Sequence, residues 1–226
     1  MIRKIGRLNY KERKLIKRCY DVFLNSIDMN LYNKFIMDGT VFWINLYQLN
    51  RESIKIKDFE LLASIHIKNL VSWTHSFVNE KFQMSLKVAR IQFIVNPINS
   101  RPQRWHIDYN NDFSAIFIPL VELDCNNSPQ FISFPAEGEV DLNKAIINPH
   151  NVDLNNISPG DDSYYSSQVC CGAFSILYME PGTIHRGVGN KNNIIRPMLC
   201  VELIPSESAI EISNQNFIEN QDTSIK

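Results

Sequence analysis

The stretch Glu180-Pro-Gly-Thr-Ile-His-Arg-Gly-Val-Gly-Asn-Lys-Asn-Asn-Ile-Ile-Arg-Pro-Met-Leu-Cys-Val-Glu-Leu203 carries two strand patterns around a turn-rich centre. Arg196, Met198, Cys200 and Glu202 alternate with Pro197, Leu199, Val201 and Leu203, and a period of two is the mark of a strand because successive side chains point to opposite faces. A Pro-Gly turn leads into the segment containing His185, and Gly187 to Asn193 is rich in Gly and Asn, as a hairpin connection requires. The two runs therefore fold back on one another, which brings Arg196, eleven residues on, alongside His185. Strands are expected near 182–188 and 195–204.

The same texture extends upstream. Short runs of Ile, Val and Phe separated by Asn, Pro, Ser and Gly place further strands near 86–96, 103–109, 113–122, 129–134 and 172–179. In the first of these, Ala89, Ile91, Phe93 and Val95 are apolar while Arg90, Gln92 and Asn96 share the other face, which meets either solvent or a polar pocket. In the pocket case, Arg90 is a candidate for holding an anionic substrate group. The polar segment 136–168, punctuated by Pro149, Pro159 and Gly160, reads as a long loop between sheets.

The first third of the chain has a different period. Leu15, Ile16, Cys19, Tyr20, Phe23, Leu24 and Ile27 recur at three and four, predicting a helix over about 10–28. A second helix is expected over about 57–80, burying Leu61, Leu62, Ile65, Leu70, Val71, Phe77 and Val78, and the segment 41–49 between them is β-prone. Helices followed by strands indicate an α+β domain whose helices buttress a β-sandwich or barrel. The expected organisation is one domain over 1–212, with 1–85 mainly helical support, 86–205 the β core, and 213–226 a flexible tail.

Composition narrows the functions available. The chain has 226 residues, 44% hydrophobic, enough for a full core, and 23 Lys+Arg against 24 Asp+Glu leave a formal charge of −1. That balance lacks the basic excess that neutralising phosphates demands, so no nucleic-acid partner is expected. No apolar run approaches the roughly 20 residues of a membrane span, and Met1 to Arg7 lead into no apolar signal core, so the expectation is no membrane and a cytoplasmic location. The 5 Cys, with Cys170 and Cys171 adjacent, fit neither a disulfide framework nor a zinc cage and are read as reduced packing residues. The basic first half of the first helix, from Lys11 to Arg18, is either a solvated face or a dock for an acidic partner.

Among the 5 His, His66 and His75 fall within the second helical pattern without an i, i+4 ligand partner, and His150 lies in the polar loop, expected at the surface. His106 and Asp108 stand in Arg104-Trp-His-Ile-Asp-Tyr109, two apart on a strand and so on one face. With His185 they make two imidazoles and one carboxylate, a facial triad that holds non-haem Fe(II) and leaves adjacent positions open. Arg196 supplies a planar fork able to grip a carboxylate.

His106, Asp108, His185 and Arg196, in this order and with this last spacing, resemble the Fe(II)/2-oxoglutarate-dependent oxygenase superfamily. Pro102-Gln-Arg-Trp-His-Ile-Asp108, His185-Arg-Gly-Val-Gly-Asn190 and Asn127-Ser-Pro-Gln-Phe-Ile-Ser-Phe-Pro135 are similar to its phytanoyl-CoA dioxygenase-like branch, over about 90–205. The aspartyl/asparaginyl hydroxylase branch shares the four residues. The resemblance implies a double-stranded β-helix, a jelly-roll or cupin-like barrel. It implies metal ligation by His106, Asp108 and His185, and 2-oxoglutarate held by Arg196. Asn96 stands where the family often has a lysine or glutamine that reaches the co-substrate. The implied reaction consumes O2 and 2-oxoglutarate, releases succinate and CO2, and oxidises a C–H bond. Asp108, standing where related halogenases carry a small residue, points to hydroxylation. The implied substrate is a small metabolite, an amino acid, or a carrier- or peptide-linked intermediate. The sequence departs from the family pattern at Phe134-Pro-Ala-Glu137 and at Gly187, where a Ser or Thr is frequent. Two other readings use the same residues: a cupin-like metal enzyme working without 2-oxoglutarate, and a barrel that binds without turnover.

Overall fold

The computed structural model of the chain describes residues 2–26, 33, 39, 41–48, 65–103, 105–108, 113–133, 146–148, 151–152 and 165–206. Its elements, in order, are β1 (Ile2–Arg7), α1 (Tyr10–Ser26), β2 (Phe42–Gln48), α2 (Ile65–Lys81), β3 (Leu86–Asn96), β4 (Ser114–Pro119), β5 (Gln130–Ser133), β6 (Ile146–Asn148), β7 (Asn151–Val152), β8 (Tyr165–Gln168), β9 (Ser175–Met179), β10 (His185–Arg186) and β11 (Arg196–Pro205).

α1 starts where its chemistry starts it. Asn9 Oδ1 accepts from the Glu12 amide at 3.1 Å, and Glu12 Oε2 accepts from the Asn9 amide at 2.7 Å, a reciprocal capping box that satisfies two orphan donors. The stripe Ile16, Cys19, Tyr20 and Phe23 is buried. In α2 the buried stripe is Ile67, Leu70, Thr74 and Val78, and Thr74 returns its hydroxyl to the Leu70 carbonyl at 2.8 Å. Ile65, expected in the core, is 62% exposed. At 100° per residue it sits about 200° from Ile67, on the far side of the helix. The proposed start of this helix, 57–64, and Leu61 and Leu62 with it, lie outside the described residues, as do His150 and the tail 213–226.

Six strands form one antiparallel sheet in the order β1-β9-β4-β11-β3-β2, and β10-β5-β8 form a second. Alternation along β3 and β11 gives the large sheet two different faces. Ile91, Phe93, Val95, Leu199, Val201 and Leu203 pack with Ile116 and Ile118 against α1 and α2. Opposite them Ala115, Phe117, Leu177, Met179, Met198 and Cys200 form an inner cluster with Phe131 of the small sheet. The result is three layers, helices, large sheet and small sheet, with a second core between the sheets.

Several expectations need correction. Among the described residues of 103–109 there is no strand, and His106 alone makes a bridge, to His185. Ile2–Arg7, which shows no clean alternation, is a strand on the edge of the large sheet, paired with β9. The polar segment 136–168 contains the hairpin β6–β7 and all of β8, whose Gln168 and Ser167 pair with Gln130 and Phe131. Neighbouring strands, not local propensity, decide these short pieces. No described helix is long and apolar enough to cross a membrane.

Candidate functional site

The two histidines meet through the backbone first. His106 and His185 exchange both main-chain hydrogen bonds, at 3.0 and 2.9 Å, so they are directly opposed residues whose side chains leave on the same face. Their rings lie 4.4 Å apart at 53°. Asp108, two residues on, reaches both: Oδ1 is 3.5 Å from His106 Nε2 and Oδ2 is 3.4 Å from His185 Nε2. One donor atom from each residue lies within 4.8 Å of the others. Two imidazoles and a carboxylate at this spacing form a donor set that fits a divalent first-row metal. His185 is buried while His106 and Asp108 are partly open, which leaves the set accessible from one side.

Local contacts fix this geometry. His185 Nδ1 donates to the Thr183 carbonyl at 2.9 Å, which sets the tautomer and leaves the Nε2 lone pair facing Asp108. The Thr183 hydroxyl in turn donates to the Glu180 carbonyl at 2.6 Å across the Pro-Gly turn. The outer face is braced by Arg186, whose guanidinium lies 4.5 Å from the Trp105 ring centroid and whose Nε donates to Gln130 Oε1 at 2.8 Å.

Electrostatics bind the acid to its neighbours. Burial alone raises the Asp108 carboxyl, but His185 and His106 outweigh it and hold it well below the usual carboxylate range. Burial lowers the His185 imidazole, and the Asp108 carboxylate more than reverses this.

The expected hairpin between His185 and Arg196 does not form: β10 pairs with β5 in the small sheet and β11 with β3 and β4 in the large one, so the connection passes from one sheet to the other. That connection is pinned by Asn190, which is fully buried. Its Nδ2 donates to the carbonyls of Asn96 and Ile194 at 3.2 and 2.6 Å, and its amide donates to Ser100 Oγ at 3.1 Å. A Cβ on Gly189 would collide with the Ser100 carbonyl. A Cβ on Gly187 would lie 2.6 Å from Gln103 Oε1, which accepts from the Gly187 amide at 2.8 Å. The Gln103 amide thus occupies the space that a serine or threonine side chain at 187 would need.

Arg196 begins β11 directly opposite Asn96 of β3, both on the inner face. Its side chain is 1% exposed, yet Nε and Nη1 have no hydrogen-bond partner, and burial pushes its guanidinium down to about 10. Asn96 Oδ1 beside it is also buried without a partner. A buried guanidinium without an acid costs several kcal/mol unless something anionic joins it, so this position fits a carboxylate ligand.

Arg90 differs from its expected role. Its Nε lies 3.0 Å from Glu202 Oε2, so its charge is already compensated and it is no receptor for a free anionic group. Gln92 Nε2 donates to Glu202 Oε1 at 3.0 Å. Burial, opposed by Arg90, pushes the Glu202 carboxyl up to about 7. This cluster is the polar part of β3 read from the sequence, and its face is buried as a pocket wall. Glu202, Gln103 and Ser114 escaped the sequence reading; Glu202 was visible as an acid in an apolar run, whereas nothing local marks the other two.

His66 and His75 lie on α2, away from this cluster; His75 packs edge-on against Tyr47 at 4.9 Å, and burial lowers its imidazole. All five cysteines are free.

No family model and no curated protein matches the sequence. Solved structures do match the fold. The non-heme alpha ketoglutarate dependent carbocyclase SnoK from nogalamycin biosynthesis superposes with a TM-score of 0.58 at 13% identity, covering 90% of this chain and 79% of SnoK. The epimerase SnoN, in complex with Fe3+, alpha ketoglutarate and nogalamycin RO, gives 0.57 at 12%, covering 89% and 77%. HygX from Streptomyces hygroscopicus, with nickel and 2-oxoglutarate bound, gives 0.53 at 10%, covering 91% and 82%. The chain therefore has the fold of these non-haem metal proteins.

Proposed function

We propose that the protein is an Fe(II)- and 2-oxoglutarate-dependent dioxygenase built on a double-stranded β-helix and similar to the phytanoyl-CoA dioxygenase-like branch. The observation that carries this reading is Arg196, a cation 1% exposed, its Nε and Nη1 without hydrogen-bond partners, on the face of β11 that turns toward the small sheet. A metal triad alone suits many enzymes; a triad together with a buried arginine awaiting an acid suits one whose co-substrate is a dicarboxylate.

In this reading His106, Asp108 and His185 hold the metal, Arg196 grips the distal carboxylate of 2-oxoglutarate, and Asn96 lies beside it. When bound, iron and 2-oxoglutarate supply the activation of O2 and the oxidation of the substrate, with succinate and CO2 released. The chain does the rest. Thr183 keeps His185 in the tautomer that presents Nε2, the Trp105–Arg186 stack holds the two ligand segments together, and the apolar walls from Ala115, Phe117 and Met179 keep water from the reacting centre. With a carboxylate at 108, no ligand position is vacated for halide, which favours hydroxylation of an unactivated C–H bond. The substrate is a small metabolite, an amino acid or a carrier- or peptide-linked intermediate. The carbocyclase SnoK and the epimerase SnoN share this fold, so the choice of hydroxylation rests on the carboxylate at 108.

The test is an anaerobic titration of the purified protein with Fe(II) and 2-oxoglutarate, followed through the weak visible charge-transfer band of the chelate. The band should require both components and be lost in Asp108→Ala and weakened in Arg196→Ala. Iron binding without any band would favour a cupin-like enzyme that works without 2-oxoglutarate.

A further inference from the structure

Four of the exposed large apolar side chains are ordinary surface residues: Tyr10 and Ile65 begin the two helices, and Met84 and Ile194 stand in connections. Trp43, 48% exposed, is different because it faces into the fold. Its neighbour Ile44 packs in the cluster under the helices, whereas Trp43 pairs with Ile94, which packs against the inner cluster. Alternation along β2 therefore turns the indole toward the inner face, the side on which the triad lies.

Register fixes what surrounds it. Trp43, Ile94 and Met198 form one rung across β2, β3 and β11, and Asn45, Gln92 and Cys200 form the next. On one side of the first rung stand Asn96 and Arg196, the seat that fits a carboxylate. Beyond the second, Gln92 donates to Glu202, which lines one recess with Asp108 of the triad. Ile94 is half-buried, so with Trp43 it makes an open apolar step between the two ends of the candidate site. Neighbouring strands lie about 4.8 Å apart, which sets β2 about 10 Å from β11, a span that a ring and its substituent can bridge.

An indole left half open on an inner wall gains most from a partner that covers its face. We propose that the Trp43–Ile94 step is a substrate subsite and takes an uncharged ring laid flat on the indole. The proposal rests on the oxygenase reading above and narrows its substrate class. The shared chemistry is a flat apolar face, which either an aromatic ring or the C–H face of a sugar ring presents. An anionic group is disfavoured, because the co-substrate's carboxylate takes Arg196 and Arg90 is paired with Glu202. An ammonium would gain from the indole's quadrupole but would find no carboxylate on this wall among the described residues, Glu202 being held by Arg90. Asn45, half-buried beside the step, supplies a neutral amide for a ring hydroxyl or carbonyl.

The test compares neutral and charged rings. The full chain is loaded with Mn(II) and 2-oxoglutarate, and paramagnetic relaxation of ligand protons, which reports only ligands near the metal, is measured for naphthol, methyl glucoside, naphthalenesulfonate and naphthylmethylammonium. At least one neutral ring should relax faster, and which one does tells an aromatic from a sugar substrate; the two ions should respond several-fold less. Trp43→Ala should cut the neutral-ring effect several-fold, Trp43→Phe should recover much of it, and Trp73→Phe, which alters the indole stacked on Phe77 in α2, should leave it unchanged. Unchanged Mn(II) and 2-oxoglutarate affinities show that each variant is folded and loaded, and if Trp43→Ala loses them, Trp43→Thr carries the test. A neutral-ring effect that survives loss of the indole, a preference for either ion, or no neutral-ring effect in the loaded wild type overturns the subsite and leaves the oxygenase reading standing. Failure of the wild-type chain to bind Mn(II) or 2-oxoglutarate at all overturns that reading, and the subsite with it.

Discussion

The guanidinium of Arg186 lies over the indole of Trp105, 4.5 Å from its centroid, and these are the residues adjacent in sequence to the two histidines of the triad. The backbone bridge that opposes His106 and His185 on the inner face thus has a side-chain counterpart on the outer one. Such a stack contributes about 0.5–2 kcal/mol, the larger figure when desolvated. Trp105→Leu should therefore weaken Ni(II) binding by a few-fold to tenfold, measured by calorimetric titration, without removing any ligand. Unchanged affinity would show that the bridge alone fixes the triad.

Arg196 leads to a less intuitive outcome. Its buried charge has no acid partner among the described residues, so it opposes folding until a carboxylate arrives. Arg196→Met should raise the melting temperature of the ligand-free protein. The same variant should lose ten- to a hundredfold in 2-oxoglutarate affinity, equivalent to about 1.4–3 kcal/mol, and lose the thermal shift that 2-oxoglutarate gives the wild type. A lower ligand-free melting temperature would mean that the guanidinium already has a partner.

The Arg90–Glu202 pair gives a prediction in stability and pH. Removing one partner leaves the other charge buried, so Glu202→Met should cost about 3–5 kcal/mol in urea unfolding, whereas Arg90→Met with Glu202→Met should be near neutral. Glu202 rises from the usual 4.5 to about 7 in the folded chain. Between these values the folded state holds a proton that the unfolded state has released, so stability falls as pH rises through that window. The double variant should lack this slope, and a slope that persists would assign it to another group.

The connection after His185 tests backbone space. Gly189→Ala would drive a methyl into the Ser100 carbonyl, and Asn190→Ala would remove the three hydrogen bonds of a buried side chain, two donated by Nδ2 and one accepted by Oδ1 from the Asn192 amide. Each should destabilise by roughly 2–4 kcal/mol in chemical unfolding. Because Asn190 also holds the start of β11, its variant should lose 2-oxoglutarate affinity alongside stability. A variant that lost stability alone would show that Arg196 is placed by the sheet without help from this connection.

Legibility followed the range of the forces involved. α1, β2, β3 and β11 were visible because their burial pattern repeats within the segment itself, whereas His106, Asp108 and His185 were marked by residue type and by their likeness to a known pattern. The strand expected at 103–109 and the hairpin expected after His185 are both replaced by long-range pairing: among the described residues His106 bridges His185 and the Gln103 amide donates to the Gly187 carbonyl, nearly eighty residues or more away. β1 and β8 were hidden for the converse reason: Ile2–Arg7 and Tyr165–Gln168 are polar edge pieces that exist through pairing with β9 and β5. Arg90 was assigned an anionic ligand because its acid, Glu202, stands far along the chain and becomes its neighbour only through the β3–β11 register.

β11 lies between β4 and β3 and, among the described strands, joins β1-β9-β4 on one side to β3-β2 on the other. It follows all five of those strands in sequence. While the chain is being made, therefore, two half-sheets wait with open edges, and neither can close until residues 196–205 have left the ribosome. Assembly of the sheet is a long-range event with a large loop-closure cost, so folding should be slow. In the interval the β3 and β4 edges, both strongly apolar, are sites where a chaperone or another nascent chain would add a strand.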